Sequence, residues 1–531
     1  MFDNNLLLCK LILRRDWLRI VLWLVAMATL VVGFGASMSD VIDTSAEGMA
    51  SMLGMMQNPA MVAMMGPLYL TEDGAITLGS FYATFMLVWS AMFMAVMNIF
   101  HVVRHTRHDE EQGRIEVIRS LPVGRMANLS ATLTTALLVN VAFALILGGS
   151  LGAVGTEGMG MEGGLLFGAL IGAAGLAFAV ITAVFCQLSA NPRTAQALAF
   201  ATLVVMYGLR GYADLRDVPA LNIISPLGLI FQAKNYVEDN WWPVALSLGF
   251  SLLIAIVAFM LCGARDMGAG LIPARPGQRD AAPYLRSPAG LAWRLLKTPF
   301  IIWAVSITAL SVSYGSIMGD IEDFMQSIPA LLELSGGDSL ILVSFFMIIM
   351  AMMAAIPMLQ FFLKARGQES GGFAENVLAR AASRYSQLAG YFVLALAAAV
   401  FMQLFNCVGF WLSCLAVMED PIPFGDLFAA CMIYTPALLF MLGLAMILNA
   451  YLPKRTAFVW FYLGYAFAVI YMGAMIGLPE WLAKLTPFGH IPQLPTEEVT
   501  GERLAVLVGM CLASLVMYVV GFVGYRQRDM S

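Results

Sequence analysis

Charge is scarce in this chain. Lys, Arg, Asp and Glu make up 12% of 531 residues, against about 25% in ordinary soluble domains, which excludes a soluble globular fold. Histidine is scarcer still, with four residues. Seven cysteines lie in or beside apolar runs (Cys9, Cys186, Cys262, Cys407, Cys414, Cys431, Cys511) without the spacing of a disulfide framework, and read as small buried hydrophobes. No G-x-x-x-x-G-K-[ST] phosphate loop occurs, so the chain carries no nucleotide-binding motif of that type. Neither a nucleophile–base set nor a pair of catalytic acids stands out, so an enzyme is not indicated. Basic clusters are short, so nucleic acid is not implied as a partner. The alternating ten-residue pattern of an outer-membrane barrel is also missing.

What fills the chain is apolar sequence: 60% hydrophobic residues and a mean hydropathy of +0.82. Runs of about 20 apolar residues recur, each long enough to cross a hydrocarbon core about 30 Å thick as a helix. The reading is an all-α polytopic membrane protein with twelve spans, near 17–36, 79–103, 130–153, 164–187, 194–209, 242–262, 299–317, 339–363, 386–417, 427–450, 456–478 and 504–525. The span from Ser386 is too long for one straight crossing, and the one from Thr194 is short, with room to extend to Tyr212.

Sidedness follows from the cations. With the N-terminus inside, 24 of the 29 Lys and Arg residues fall on inner segments and 5 (Arg210, Arg216, Lys234, Lys484, Arg503) on outer ones. The positive-inside rule is satisfied with both termini cytoplasmic. Every Asp and Glu falls in a loop or at a span end on this reading. Ion-coupled transporters usually keep ionisable groups at depth, so the driving energy is expected to enter from outside the membrane.

The chain is duplicated. Arg107, Glu110, Gly113, Glu116 and Arg125 recur 259 residues later as Arg366, Glu369, Gly372, Glu375 and Arg384. Arg14, Trp23, Asp40 and Asp43 meet Arg294, Trp303, Asp320 and Asp323 at an offset of 280. Arg193-Thr194-Ala195 meets Arg455-Thr456-Ala457 at 262, and Ser225-Pro226-Leu227-Gly228 resembles Thr486-Pro487-Phe488-Gly489 at 261. Two six-span halves in the same orientation are parallel repeats. They are expected at 1–265 and 291–531, with a cytoplasmic linker rich in Pro, Gly and Arg over 266–290.

The repeated polar segment lies between the second and third spans of each half. Glu110, Gly113 and Glu116 are spaced i, i+3, i+6, which on a continuous helix sets both carboxylates near one face, beside Val117, Ile118 and Leu121. A short surface helix of this kind fits a groove on a soluble partner. A solvated loop serving sidedness alone needs Lys or Arg, not matched Glu and Gly.

Residues 110–125 (EEQGRIEVIRSLPVGR) resemble the coupling segment of ABC-2-type exporter permeases. Arg104-His105-Thr106-Arg107, Asn58-Pro59-Ala60 and Gly66-Pro67 resemble the duplicated tetronasin/polyketide-antibiotic exporter branch, and the likeness covers essentially the whole chain. In that family this loop contacts the nucleotide-binding subunit. The resemblance therefore implies one ATPase-coupling site at Arg107, Glu110, Gly113, Glu116 and Arg125, and a second at Arg366, Glu369, Gly372, Glu375 and Arg384. It implies two copies of a separate ABC ATPase subunit per chain, with ATP and Mg on those subunits and no cofactor in this one. The second copy departs from the pattern where Arg380-Ala381 replaces Leu121-Pro122, so equivalence of the two sites is not expected. The implied function is a permease subunit of an ATP-driven exporter of apolar or amphipathic small molecules such as antibiotics, in the bacterial plasma membrane. The alternatives are a 6+6 secondary transporter, which a carboxylate at membrane depth would favour, and a membrane enzyme or scaffold.

Other features are weaker. The basic stretch Leu6–Arg15 suits an interfacial elbow helix or an ordinary anchor. The run from residue 17 is too long for a signal peptide and belongs to the repeat, so it is expected to be retained. Met49, Met52, Met55, Met56, Met61, Met64 and Met65 suit packing better than Cu(I). His101, His105 and His108 have helical spacing but no nearby Cys, so a metal is not expected. The segments Ser225–Phe231 and Thr486–Pro495 are apolar with Pro and Gly. They are expected to re-enter and cap the outer mouth of the pathway, with Pro226, Gly228, Pro487 and Gly489 as gate candidates.

Overall fold

A computed structural model describes residues 3–41, 53, 56, 59–71, 73–156, 158–266, 268–273, 279–320, 339–380, 382–418, 420–476, 479–494, 496–497 and 499–529. Met49, Met52, Met55, Asn58, Asp43, Asp323, Ala381 and Pro495 lie outside the described residues, as do the side chains of Asp40 and Asp320. The chain divides into two compact units, Met1–Gly277 and Gln278–Ser531.

All regular structure among the described residues is helical. The first unit contains α1 (Asn5–Val41), α2 (Pro59–Met65), α3 (Leu78–Val103), α4 (Asp109–Glu111), α5 (Arg114–Arg119), α6 (Ala127–Val154), α7 (Met161–Leu188), α8 (Pro192–Arg216), α9 (Pro219–Ile224), α10 (Pro226–Leu229) and α11 (Trp242–Ala264). The second contains α12 (Pro288–Ser316), α13 (Ser339–Ser370), α14 (Phe373–Leu378), α15 (Arg384–Val417), α16 (Phe424–Met432), α17 (Thr435–Tyr451), α18 (Phe458–Ile476), α19 (Glu480–Lys484) and α20 (Gly501–Gln527). Among the described residues, eleven helices are long and apolar enough to cross a membrane. The helix at the expected eleventh span, α18, has 19 residues and is not among those eleven.

Local chemistry fixes the ends. Thr77 and Ser80 form a capping box on α3. Ser287, Ser383 and Thr500 accept from the third amide after them at the starts of α12, α15 and α20. Pro192 opens α8, where its missing N–H leaves no helical bond unmade. At 34 residues α15 is about 51 Å long, longer than a straight crossing requires. Three expectations change. The stretch Leu6–Arg15 is no separate elbow but the first turns of α1, held by Leu8, Cys9 and Ile12 against Ala127 and Ala131. The fifth span runs on to Arg216, because Arg210 and Asp214 satisfy each other inside the helix. The tenth breaks between Met432 and Thr435, where Pro436 opens α17.

Glycine decides which helices pack tightest. Ala144, Gly148 and Gly152 on α6 face Gly164, Gly168 and Gly172 on α7, and a Cβ on Gly168 would collide with the Ala144 carbonyl oxygen. Such small-residue stripes let backbones approach closely in membranes, where no hydrophobic drive holds helices together. Asn98 and Asn140, both buried, exchange amide hydrogen bonds of 3.2 and 2.9 Å between α3 and α6. In the second unit the close approach lies between α12 and α15. There Gly315 abuts the Phe410 carbonyl and Gly409 the Thr308 carbonyl, and Ser311 donates to Asn406. Gly168→Val is expected to force α6 and α7 apart and to destabilise by about 1–3 kcal/mol, read as a fall in thermal midpoint in detergent.

Candidate functional site

Salt bridges and interhelical hydrogen bonds gather the charged ends of α1, α3, α6, α7 and α11 at one end of the first unit. From the end of α3 the chain passes through a π turn, Arg104–His108, into α4, a distortion common at functional sites. Gly113 then adopts φ +71°, with no atom within 4 Å of where a Cβ would stand. Glycine is required here by conformation and not by space. Because of this left-handed residue, Glu110 and Glu116 do not share a helix face as their spacing suggests. Glu110 stays on α4, before the glycine, and turns inward. Glu116 is exposed on α5, beside Val117 (69% exposed) and Leu121, while Ile115 is buried beneath them.

Glu110 is the centre of a clasp. Arg107 is buried; it donates to the carbonyl oxygens of Cys186 (2.5 Å) and Ala269 (2.8 Å) and to Glu110 (3.2 Å). Arg265, the residue closing α11, donates to both carboxylate oxygens of Glu110 at 2.9 Å, and to Gln187 at 2.6 Å. The Gly268 N–H adds a bond of 2.7 Å to the same carboxylate. Arg125 donates to the Arg265 carbonyl at 2.8 Å.

The second unit repeats the arrangement with its own residues. Glu369 is buried between Arg366 (3.4 Å) and Arg528 (2.5 Å), and Arg528 closes α20. Arg384 donates to the carbonyls of Arg526 (3.0 Å) and Arg528 (2.9 Å). Gly372 has φ +72° and donates its N–H to the Glu369 carbonyl at 2.9 Å, as Gly113 does to Glu110 at 3.0 Å. Glu375 is exposed on α14 beside Phe373 (60% exposed), above a buried Ala374. Arg265 and Arg528 were not picked out by the motif. A signal was present: the Arg-Asp pair recurs from Arg265-Asp266 to Arg528-Asp529, in step with the duplication.

The two sites differ in a second layer of charge. In the first unit Asp109 pairs with Arg15 (2.7 Å) and Arg114 (2.9 Å), and Asp16 pairs with Arg104 (2.9 Å). His105 lies between them, with Nε2 3.0 Å from Asp16 and Nδ1 2.5 Å from Arg15. The ring of His101 stands 4.7 Å from that of His105, and His108 meets Gln112. In the second unit the matching positions are Leu363, Lys364, Gln368 and Phe373. A cavity of about 270 Å³ lies there, lined by Leu291, Leu295, Phe373 and Val377 among others.

The expected gate segments lie at the other ends of their units. Ser225 is buried; its hydroxyl donates to the Met206 carbonyl (2.9 Å) and accepts from the Gly228 N–H (3.3 Å). Pro226 opens α10, and a Cβ on Gly228 would strike Asn222. Thr486 repeats this, donating to Ala483 and accepting from Gly489 at 3.1 Å, with Pro487 and Phe488 buried and Gly489 against the Ala483 carbonyl. The first segment leans on a fully buried Arg210. That residue pairs with Asp214 (3.3 Å), donates to the carbonyls of Ala63 (2.5 Å) and Met64 (3.1 Å), and lies over the rings of Tyr207 and Phe231. Just beyond, Asp239 accepts from the Tyr236 N–H and Asn235, and burial pushes its carboxyl above the usual range. Met61 and Met65 pack into the core of this unit.

Comparison with known proteins gives the chain a family. The model of the multidrug efflux system permease Rv1217c, C-terminal domain, matches residues 9–262 and 285–526. The chain is 31% identical over 542 residues to the multidrug efflux system permease protein Rv1217c of Mycobacterium tuberculosis (strain ATCC 25618 / H37Rv), covering 99% of this chain and 95% of the relative. With its long apolar helices it is a multi-pass protein of the bacterial plasma membrane. By both matches, the chain belongs to the family of the multidrug efflux permease Rv1217c.

Proposed function

We propose that this chain is the membrane-spanning permease subunit of an ATP-driven exporter, energised by a separate ABC ATPase present in two copies per chain. One observation carries the reading: in both units a left-handed glycine launches a short helix that presents an exposed glutamate and an exposed apolar side chain, Glu116 with Val117 and Glu375 with Phe373. Among the described residues, no packing contact requires an exposed Glu at these positions. A partner groove does. ATP and Mg are held on the partner, which pushes on α5 and α14. Twelve spans, α18 included, form two parallel six-helix halves joined by the linker at 266–290, with both termini cytoplasmic. The Lys and Arg distribution supports this sidedness, and the division at Gly277 supports the linker. The cargo is apolar or amphipathic small molecules, and the relative's description as a multidrug efflux permease supports drug export.

The segments at Pro226, Gly228, Pro487 and Gly489 close the outer mouth. Cysteines placed at Pro226 and Phe488 are expected to react with an impermeant thiol reagent at least about tenfold more slowly than one placed at exposed Asp73. Equal rates would remove the gate assignment.

An ion-driven transporter is the competing reading, and the buried Arg210–Asp214 pair is the observation in its favour. Export in inside-out vesicles separates the two. Uptake that needs ATP and survives a protonophore supports the ABC reading; uptake that needs only a proton gradient overturns it.

A further inference from the structure

We propose that Arg265 and Arg528 are positioning residues that transmit movement of the coupling helices to the last helix of each half. This rests on the coupling reading above. Each unit builds the same three-residue clasp, Arg107–Glu110–Arg265 and Arg366–Glu369–Arg528. Within each, the glutamate sits three residues before the left-handed glycine and accepts that glycine's N–H on its own carbonyl. Its side chain is then gripped by the arginine that closes α11 or α20. Displacing α5 or α14 therefore pulls on the end of α11 or α20 through half-buried, charge-assisted bonds, which are shorter and about twice as strong as neutral ones.

The helices reached are the ones that lead to the gate. α11 begins at Trp242, directly after the segment containing Pro226 and Gly228. α20 begins at Gly501, after the segment containing Pro487 and Gly489. At 23 and 27 residues they are struts about 35 and 40 Å long. One strut per unit thus joins the coupling helix at one end to the gate segment at the other. Arg125 and Arg384, donating to the carbonyls of Arg265 and Arg528, brace the same corner from the start of the third long helix.

The test is the amount of substrate moved per ATP hydrolysed by the whole complex in proteoliposomes, for Arg265→Gln, Arg528→Gln and the two Arg→Lys variants. The Gln variants are expected to keep the ATPase subunit and basal hydrolysis, and to lose at least tenfold in substrate moved per ATP. Lysine keeps the charge but not the two-pronged grip of Arg265 on Glu110 or the planar guanidinium that reaches Glu369 from Arg528, and is expected to recover part of that loss. A merely structural clasp would lower the thermal midpoint and leave the ratio alone, so an unchanged ratio in the Gln variants overturns the proposal. If the Gln variants do not accumulate, the Lys variants decide, and a ratio equal to wild type overturns it. If wild type itself binds no ATPase, the coupling reading fails instead.

Discussion

Reversing both exposed glutamates, Glu116→Arg with Glu375→Arg, is expected to abolish export while the chain accumulates normally. Neither carboxylate makes an ion pair among the described residues and both are exposed, so folding stability should move by no more than about 0.5 kcal/mol. At an interface the same change sets like charges against each other, costing about 2–5 kcal/mol per site. Affinity for the ATPase subunit should therefore fall at least about thirtyfold per site. Binding of the detergent-purified chain to the purified ATPase subunit measures this directly. Unchanged affinity would mean that α5 and α14 are not the docking elements. The single reversals are expected to differ. Behind α5 lies the ionic layer of Asp109, Arg15 and Arg114, whereas behind α14 lies a largely apolar cavity.

Arg210→Ala is expected to be the most damaging single substitution for stability in the first unit. It leaves the Asp214 charge inside the protein with only the Asn222 amide as a partner, and takes the donor from the Ala63 carbonyl, while Tyr207 still holds that of Met64. Removing one partner of a buried pair costs about 3–5 kcal/mol. The loss should appear as a large fall in the detergent thermal midpoint and in the amount of chain reaching the membrane. Arg210→Met combined with Asp214→Leu should regain most of it, since no buried charge is left unpaired. If Arg210→Ala melts like wild type, the pair is solvated and the fifth long helix ends earlier than Arg216.

Much of this architecture was legible in the sequence because it rests on local chemistry. Apolar runs of sufficient length specify helices, and the repeated Arg, Glu and Gly positions mark the duplication. What escaped was non-local or conformational. The spacing of Glu110 and Glu116 fits one helix continued through Gly113, but a single left-handed residue sends the two carboxylates to different surroundings. Arg265 comes to Glu110 from 155 residues away, and the recurrence of the Arg-Asp pair marks the residue without naming its partner. Arg210 falls just past the apolar run that sequence marks as the fifth span, and only its pairing with Asp214, one turn later, shows that it lies inside the helix. The different tight helix pairs of the two units follow from where glycine falls, at Gly148, Gly164 and Gly168 in one and at Gly315 and Gly409 in the other.

The central claim is that a separate ATPase drives this chain through its two short helices. The most direct measurement is affinity purification of the tagged chain from its native membrane, with the stoichiometry of whatever accompanies it. The account predicts a co-purifying subunit that carries a phosphate loop, at two copies per chain. A chain that comes down alone, and still moves substrate when reconstituted under a proton gradient, would contradict it.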